Sequence, residues 1–289
     1  SSIASLSVLG LNSCTQLFRD VKITILHSND VHSQIEPFPL NHNRFPGRGG
    51  FARRANIFNE IRSVNPNTLI FDAGDIFQGT PYFNFFQGEL ELKLMKEMGY
   101  NAATIGNHEF DAGLDILKKN ILSTNFQFII SNYDFLNTEL EGLTTPYKIY
   151  KKEGIKIGVF GLGIELKGLV NPILYKETKY YDPIEISDEM VKILKDEKKC
   201  DLIICVSHLG HEYNSNKISD TKLAQLTSDI DLIIGGHTHT FLNEPLITKN
   251  KKNKNVIINQ VGRGGVYLGR IDFNFTNSSK NDSNSLLEV

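Results

Sequence analysis

Five short apolar stretches in this chain each run directly into a turn that carries Asp, Asn or His. Residues 21–26 lead into Asp30 and His32, residues 67–71 into Asp72 and Asp75, and residues 102–105 into Asn107 and His108. Residues 201–206 lead into His208, and residues 231–234 into His237 and His239. Short apolar runs of this kind read as strands. In an open α/β sheet, ligands collect beyond the carboxyl ends of the strands. One polar strand end is easily an accident. Five of them predict strands that share a single functional edge. The densest of these ends is Gly106-Asn107-His108-Glu109-Phe110-Asp111. There Asp111 follows His108 by about one helical turn, so its carboxylate can reach back and orient the ring.

Between the strand ends, residues 51–61 show helical apolar spacing, residues 85–98, 114–122 and 184–194 read as helices, and residues 217–226 read as a polar helix. Residues 34–50 hold prolines, asparagines and glycines and read as a long loop. Residues 147–150 and 155–160 flank Lys-Lys-Glu-Gly, which predicts a hairpin with Gly154 at its turn. Residues 161–185 read as an irregular mouth or lid loop, and residues 256–260 and 266–275 as closing strands. From Thr276 onward Asn, Ser and Lys dominate, so residues 276–289 are expected to be a disordered polar tail. The class is α/β: one domain over residues 21–275, built from two packed mixed sheets flanked by helices.

The chain is 40% apolar and 22% charged with a net charge of -2, which suits a globular protein and favours neither nucleic acid nor anionic membranes as partners. No apolar run approaches the ~18 residues of a spanning helix. The run from Lys249 to Lys254 reads as a solvated turn. Cys200 and Cys205, five apart on one expected strand, should face opposite sides some ~16 Å apart and stay unpaired, buried thiols. The third cysteine, Cys14, ends an apolar run that resembles the tail of a bacterial lipoprotein signal, without the basic segment expected ahead of it. On that resemblance residues 1–20 are a signal-like segment and linker, Cys14 carries a lipid anchor, and the protein is a periplasmic or cell-surface lipoprotein.

The strand-end residues make a metal-ligating set: Asp30, His32, Asp75, Asn107, His208, His237 and His239. Oxygen and nitrogen donors without thiolate suit Zn, Mn, Fe or Co. Seven side chains exceed one tetrahedral ion but suit two divalent ions ~3.5–4 Å apart with one carboxylate between them. If residues 30–32 and 237–239 are extended, each pair projects to one side. Two divalent ions outweigh two aspartates and a bridging hydroxide, so the site stays positive and attracts a phosphate dianion. Such ions also lower the pKa of a shared water toward neutrality, which provides the attacking hydroxide. His108 then assists the leaving group, with Asp111 holding it.

The pattern Asp30-x-His32, Gly74-Asp75, Gly106-Asn107-His108-Glu109, Ser207-His208 and Gly236-His237-x-His239 resembles the calcineurin-like metallophosphoesterases. The wider text is similar to the N-terminal catalytic domain of the 5'-nucleotidase family: residues 25–32, Asp72-Ala-Gly-Asp-x-x-Gln78-Gly79-Thr80 and residues 106–111. The resemblance implies a four-layer α/β/β/α sandwich. It implies that Asp30, His32 and His239 bind one metal, that Asp75 bridges, and that Asn107, His208 and His237 bind the other. His108 and Asp111 become the catalytic dyad, and a small phosphoester, a 5'-nucleotide first, becomes the substrate. 2',3'-Cyclic nucleotides and nucleotide sugars are the rival substrates. A non-catalytic, surface-anchored binding domain is the reading from another class. The family's nucleotide-selective C-terminal domain has no counterpart before Val289, which leaves a separate substrate-binding domain or chain, or a less specified substrate.

Several residues have plainer readings. His27 is expected to be a packed, hydrogen-bonded histidine, His42 a loop residue, and Asn29 a turn former. Asp72 is the rival of Asp75 for the bridge, but it falls on the strand rather than beyond it. Glu109 is expected to support a ligand. Arg48, Arg263 and His211 are candidates for the mouth.

Overall fold

The computed structural model describes residues 20–276 and 280–289. The chain first lays down four parallel strands, β1 (Val21–Ser28), β2 (Thr68–Asp72), β3 (Ala102–Ala103) and β4 (Gln127–Phe128). Helices α1 (Phe51–Val64), α2 (Pro81–Phe86), α3 (Glu89–Met98) and α4 (Gly113–Leu122) connect them. A ribbon strand, β5 (Tyr133–Asp134), precedes the hairpin of β6 (Tyr147–Lys152) and β7 (Ile155–Leu162). Then come α5 (Pro172–Tyr175), β8 (Lys179–Tyr180), which pairs with β5, and α6 (Pro183–Val191). The second sheet is completed by β9 (Leu202–Ser207), β10 (Leu232–Ile234), β11 (Leu246–Lys249) and β12 (Asn255–Asn259), with α7 (Asp220–Leu226) after β9. Finally β13 (Tyr267–Phe275) and β14 (Lys280–Glu288) return to the first sheet.

The sheet orders are β14-β13-β1-β2-β3-β4 and β11-β12-β10-β9-β7-β6. Strand alternation builds three apolar layers. Ile23, Ile25, Leu69 and Phe71 face Val159, Leu202, Ile204 and Leu232 between the sheets. Leu26 and Ile70 point the other way, onto Phe58, Leu92, Met95 and Leu117 of the helices. On the far side Ile203, Cys205 and Ile233 meet Met190, Val191 and Leu223. The result is the four-layer α/β/β/α sandwich expected. Because β1 to β4 run parallel within one sheet and β7, β9, β10 and β12 within the other, their carboxyl ends collect at common edges.

Three local expectations change. The polar segment expected to be disordered forms β14, in register with β13 from Tyr267↔Glu288 to Phe275↔Lys280. Ladder hydrogen bonds involve only the backbone, so a polar edge strand needs little apolar side chain. Its end is anchored: Leu287 and Val289 pack on the core, and Gly49 N–H donates to the Val289 carbonyl at 2.7 Å. The long helix expected from residue 85 is broken, because Gln87 and Gly88 adopt left-handed backbone between α2 and α3. Cys200 lies before β9 rather than on it, and both thiols are free and share one core.

Near the functional edge the two sheets touch at Gly161. Its carbonyl accepts from Ser131 N–H at 2.8 Å, and a Cβ there would sit 1.9 Å from the Ile129 carbonyl oxygen. Gly161→Ala should therefore force the sheets apart and cost about 1–3 kcal/mol. A thermal melt checks this; an unchanged midpoint would show that the contact is slack.

Candidate metal centre

All seven predicted ligands lie at the common edge, in two groups that share Asp75. Asp30, His32, Asp75 and His239 bring donor atoms within 4.8 Å of one another, and so do Asp75, His208 and His237. Asn107 joins the second group, its Oδ1 2.9 Å from His237 Nδ1. His32 Nε2 lies 4.0 Å and His208 Nε2 3.1 Å from Asp75 Oδ2, so one carboxylate oxygen faces both groups. Asp72 stays out, accepting from Ser28 Oγ at 2.5 Å and from Gly74 N–H.

The turns differ from the extended segments expected. Asp30, His32, Asp75, His237 and His239 all have positive φ, between 49° and 73°. Non-glycine residues held there cost about 1–3 kcal/mol each. Asp30 and His32 come together, and His237 and His239 part to different groups, because the chain curls back on itself and not because strand alternation aligns them. Close packing adds a second restriction. A Cβ at Gly106 would lie 2.3 Å from Asp75 Oδ1, and one at Gly236 2.8 Å from both His208 Nδ1 and the Ala73 carbonyl oxygen.

A carboxylate under the site holds the turns. Glu109, fully buried, accepts from the backbone N–H groups of Asp75 (2.9 Å), Ile76 (2.7 Å), Phe77 (3.3 Å) and Gly106 (2.6 Å). Burial and the Asp75 charge push its carboxyl up to about 7. Asn29 donates to Asp30 Oδ2 at 2.6 Å and to the Gly262 carbonyl at 2.7 Å, which ties β1 to the loop before β13. Gln260 was not anticipated. It accepts from Thr238 Oγ1 and the Thr240 N–H and donates to the Gly236 carbonyl, clamping the turn of His237 and His239. A single glutamine carries no motif; its only signal was its place at the end of the expected strand 256–260.

Donor geometry shows that these residues fit cations. His208 Nδ1 lies 2.6 Å from the Ala73 carbonyl, so it carries the hydrogen and leaves a lone pair on Nε2. That buried Nε2 faces the Asp75 carboxylate without forming a hydrogen bond. His32 Nε2 likewise meets His239 Nε2 at 2.9 Å. Lone pairs converging in a buried site call for positive charge between them. Without a cation only protons can supply it: burial opposes charging His208, but Asp75 outweighs that and drives the imidazole pKa up. The same neighbours hold Asp75 well below the usual carboxylate range. His237, desolvated and beside His208, is pushed down to about 4 and stays a neutral donor.

Beside both groups sits His108, its ring centroid 5.2 Å from that of His32. Its Nδ1 is 2.7 Å from Asp111 Oδ2, and its backbone N–H donates to Asp75 Oδ1 at 2.9 Å. Burial works against charging the ring, but the Asp111 hydrogen bond and the Asp75 charge prevail and raise its pKa. Of the mouth candidates, Arg48 turns to the Tyr267 hydroxyl and Glu288, Arg263 is exposed, and His211 is half-buried with its N–H on Thr238 Oγ1. His27 is buried against Asn259, 2.9 Å from its Nδ2, and desolvation takes its pKa down to about 3. Cys14 lies outside the described residues.

The family model for calcineurin-like phosphoesterases matches residues 23–241. The chain is 31% identical to the snake venom 5'-nucleotidase of Gloydius brevicauda, over 92% of this chain and 48% of that one. It is also 31% identical to the trifunctional nucleotide phosphoesterase YfkN of Bacillus subtilis, over 88% of this chain and 18% of that one. Among solved structures, the 5'-nucleotidase precursor of Thermus thermophilus superposes with a TM-score of 0.82 at 29% identity, covering 93% of this chain and 55% of that one. The chain thus spans about half the length, or less, of these relatives.

Glu109→Gln would put an amide NH₂ where N–H donors now point. Stranding each buried donor costs about 1–3 kcal/mol, and loss of such support lowers metal affinity about 10- to 100-fold. Melting and zinc titration of the variant should both move in that direction; a wild-type titration curve would remove Glu109 from the supporting role.

Proposed function

Because the chain belongs to the calcineurin-like phosphoesterase family, we propose that it is a metal-dependent hydrolase of phosphomonoesters, with 5'-nucleotides as its substrates. The observation that carries this reading is Asp75, shared by two cation-ready groups and hydrogen-bonded to the backbone of the His108–Asp111 pair. In this reading Asp30, His32 and His239 hold one divalent ion with Asp75. Asn107, His208 and His237 hold the other with the same carboxylate. When bound, such ions neutralise phosphoryl charge and lower the pKa of a water ligand.

The chain's own residues do the rest. Asp111 fixes the Nδ1–H tautomer of His108, which leaves Nε2 to face the ester. From there a protonated His108 gives its proton to the departing oxygen. The Asp75 contact to the His108 N–H sets the ring's distance from the centre. The 5'-nucleotidase names among the relatives support the nucleotide assignment. The relative named as trifunctional supports a second reading within the same chemistry, in which cyclic nucleotides or nucleotide sugars are also cleaved. A non-catalytic binding role is disfavoured because every member of both metal groups and the dyad is present. A catalytic unit that runs from residue 21 through β14, a lipid anchor at Cys14 with a periplasmic or surface location, and a separate substrate-binding domain complete the proposal. Among the described residues no helix is long and apolar enough to cross a membrane.

Metal analysis should find about two divalent ions per chain; one ion would end the shared-carboxylate reading. His108→Ala should lower turnover of a nucleotide about 10²- to 10⁴-fold with metal content unchanged. Collapse of metal content in that variant would make His108 a ligand instead. Assays with Mn or Zn across 5'-nucleotides, 2',3'-cyclic nucleotides and nucleotide sugars decide the substrate.

A further inference from the structure

The two histidines of the second metal group leave neighbouring strands. His208 follows β9 directly, and His237 follows β10 after Gly235 and Gly236. These strands run parallel with Ile234 beside Val206, so Ser207 and Gly235 lie next to each other where the strands end. One buried side chain from a third element meets both. Asp220, the first residue of α7, is fully buried, and its Oδ1 accepts from Ser207 Oγ at 2.5 Å. Its Oδ2 fills the space that Gly235 leaves open: a Cβ at Gly235 would lie 2.2 Å from it.

His208 is thereby held through both of its neighbours. Ser207 Oγ donates to Asp220 and accepts from Leu209 N–H at 3.2 Å. The residues on either side of His208 hang on one hydroxyl, and Asp220 sets the direction of that hydroxyl. The start of α7 ties down the same segment twice more. Asp220 N–H donates to the Gly210 carbonyl at 2.8 Å, and Thr221 Oγ1 donates to the His211 carbonyl at 3.0 Å. His211 N–H in turn donates to Thr238 Oγ1, between His237 and His239. Asp30 and His32 leave β1, in the other sheet. A buried acid with one oxygen that forms no hydrogen bond is costly. An apolar residue would fill the space at less cost but would leave the Ser207 hydroxyl undirected.

Resting on the phosphoesterase reading with its two ions, we infer that Asp220 is a positioning residue of the second metal group and acts on His208 through Ser207. Glu109 does the corresponding work for the turns of Asp75 and Gly106. Each side of the shared carboxylate then has its own buried acid. Loss of Asp220 weakens one ion and spares the other.

Zinc titration by calorimetry tests this without turnover. The wild-type protein should take up two ions. Asp220→Ala should weaken one of them about 10- to 100-fold, the loss that follows removal of a ligand's support, and leave the other unchanged. In a His32→Ala background, which dismantles the first group, the same loss should fall on the ion that remains. If Asp220→Ala does not fold, Ser207→Ala breaks the same hydrogen bond with a smaller change. It should reproduce the loss, and a foldable double variant should lose no more than either single one. Asp220→Asn keeps an oxygen for the Ser207 hydroxyl and should restore most of the affinity. Equal weakening of both ions, no weakening in either variant, or weakening confined to the first group would overturn the role. A wild-type protein that binds a single ion refutes the two-ion reading. If Ser207→Ala and Asp220→Ala still weaken that ion, Asp220 keeps its role; if they do not, the role falls as well.

Discussion

A single carboxylate oxygen of Asp75 faces imidazoles from both sheets, and the edge of the molecule is arranged so that it can. Lone pairs brought this close in a buried site repel one another unless positive charge lies between them. The fold must therefore force them together and hold them until a cation arrives. Most of the features around the centre are answers to that repulsion.

The force is distributed. Parallel strands deliver the turns to one edge, and apolar layers on both faces of each sheet fix the strands. The turns then take up left-handed backbone at five of the seven candidate ligands, a conformation that side chains avoid unless their surroundings compel it. Compulsion comes from the buried braces. Glu109 gathers four N–H groups from two turns, Asn29 joins two loops, and Gln260 clamps a third. A site preorganised in this way loses little by ordering itself around an incoming ion.

The long loop after β7 belongs to the same edge. It begins at the end of β7, where the Leu162 carbonyl accepts from His208 N–H, and its helix α5 packs against α4, the helix that follows His108 and Asp111. Position follows from the sheet order rather than from any motif in the loop itself.

The strands that lead into the site, the α/β class and the set of candidate ligands that gathers at the edge could be read from residues alone, because each candidate follows an apolar run. Asp75 could be preferred to Asp72 for the same reason: one lies past the strand and the other on it. The hairpin at Gly154 was equally local, since its turn chemistry lies in four consecutive residues. What sequence could not supply depends on partners far along the chain. The polar residues of β14 resemble a disordered tail until the edge of β13 offers backbone to pair with. Gln260 has no meaning until it meets Thr238 and Gly236. Even the meeting of Asp30 with His32 and the division of His237 and His239 between two groups arise from curled turns rather than extended strands, because strand alternation is a local rule and the braces that bend these turns are not. Sequence by itself determined which side chains gather at the edge. Only the tertiary structure decided how they face one another, since that orientation is set by hydrogen bonds between segments some two hundred residues apart, such as Asn29 to the Gly262 carbonyl.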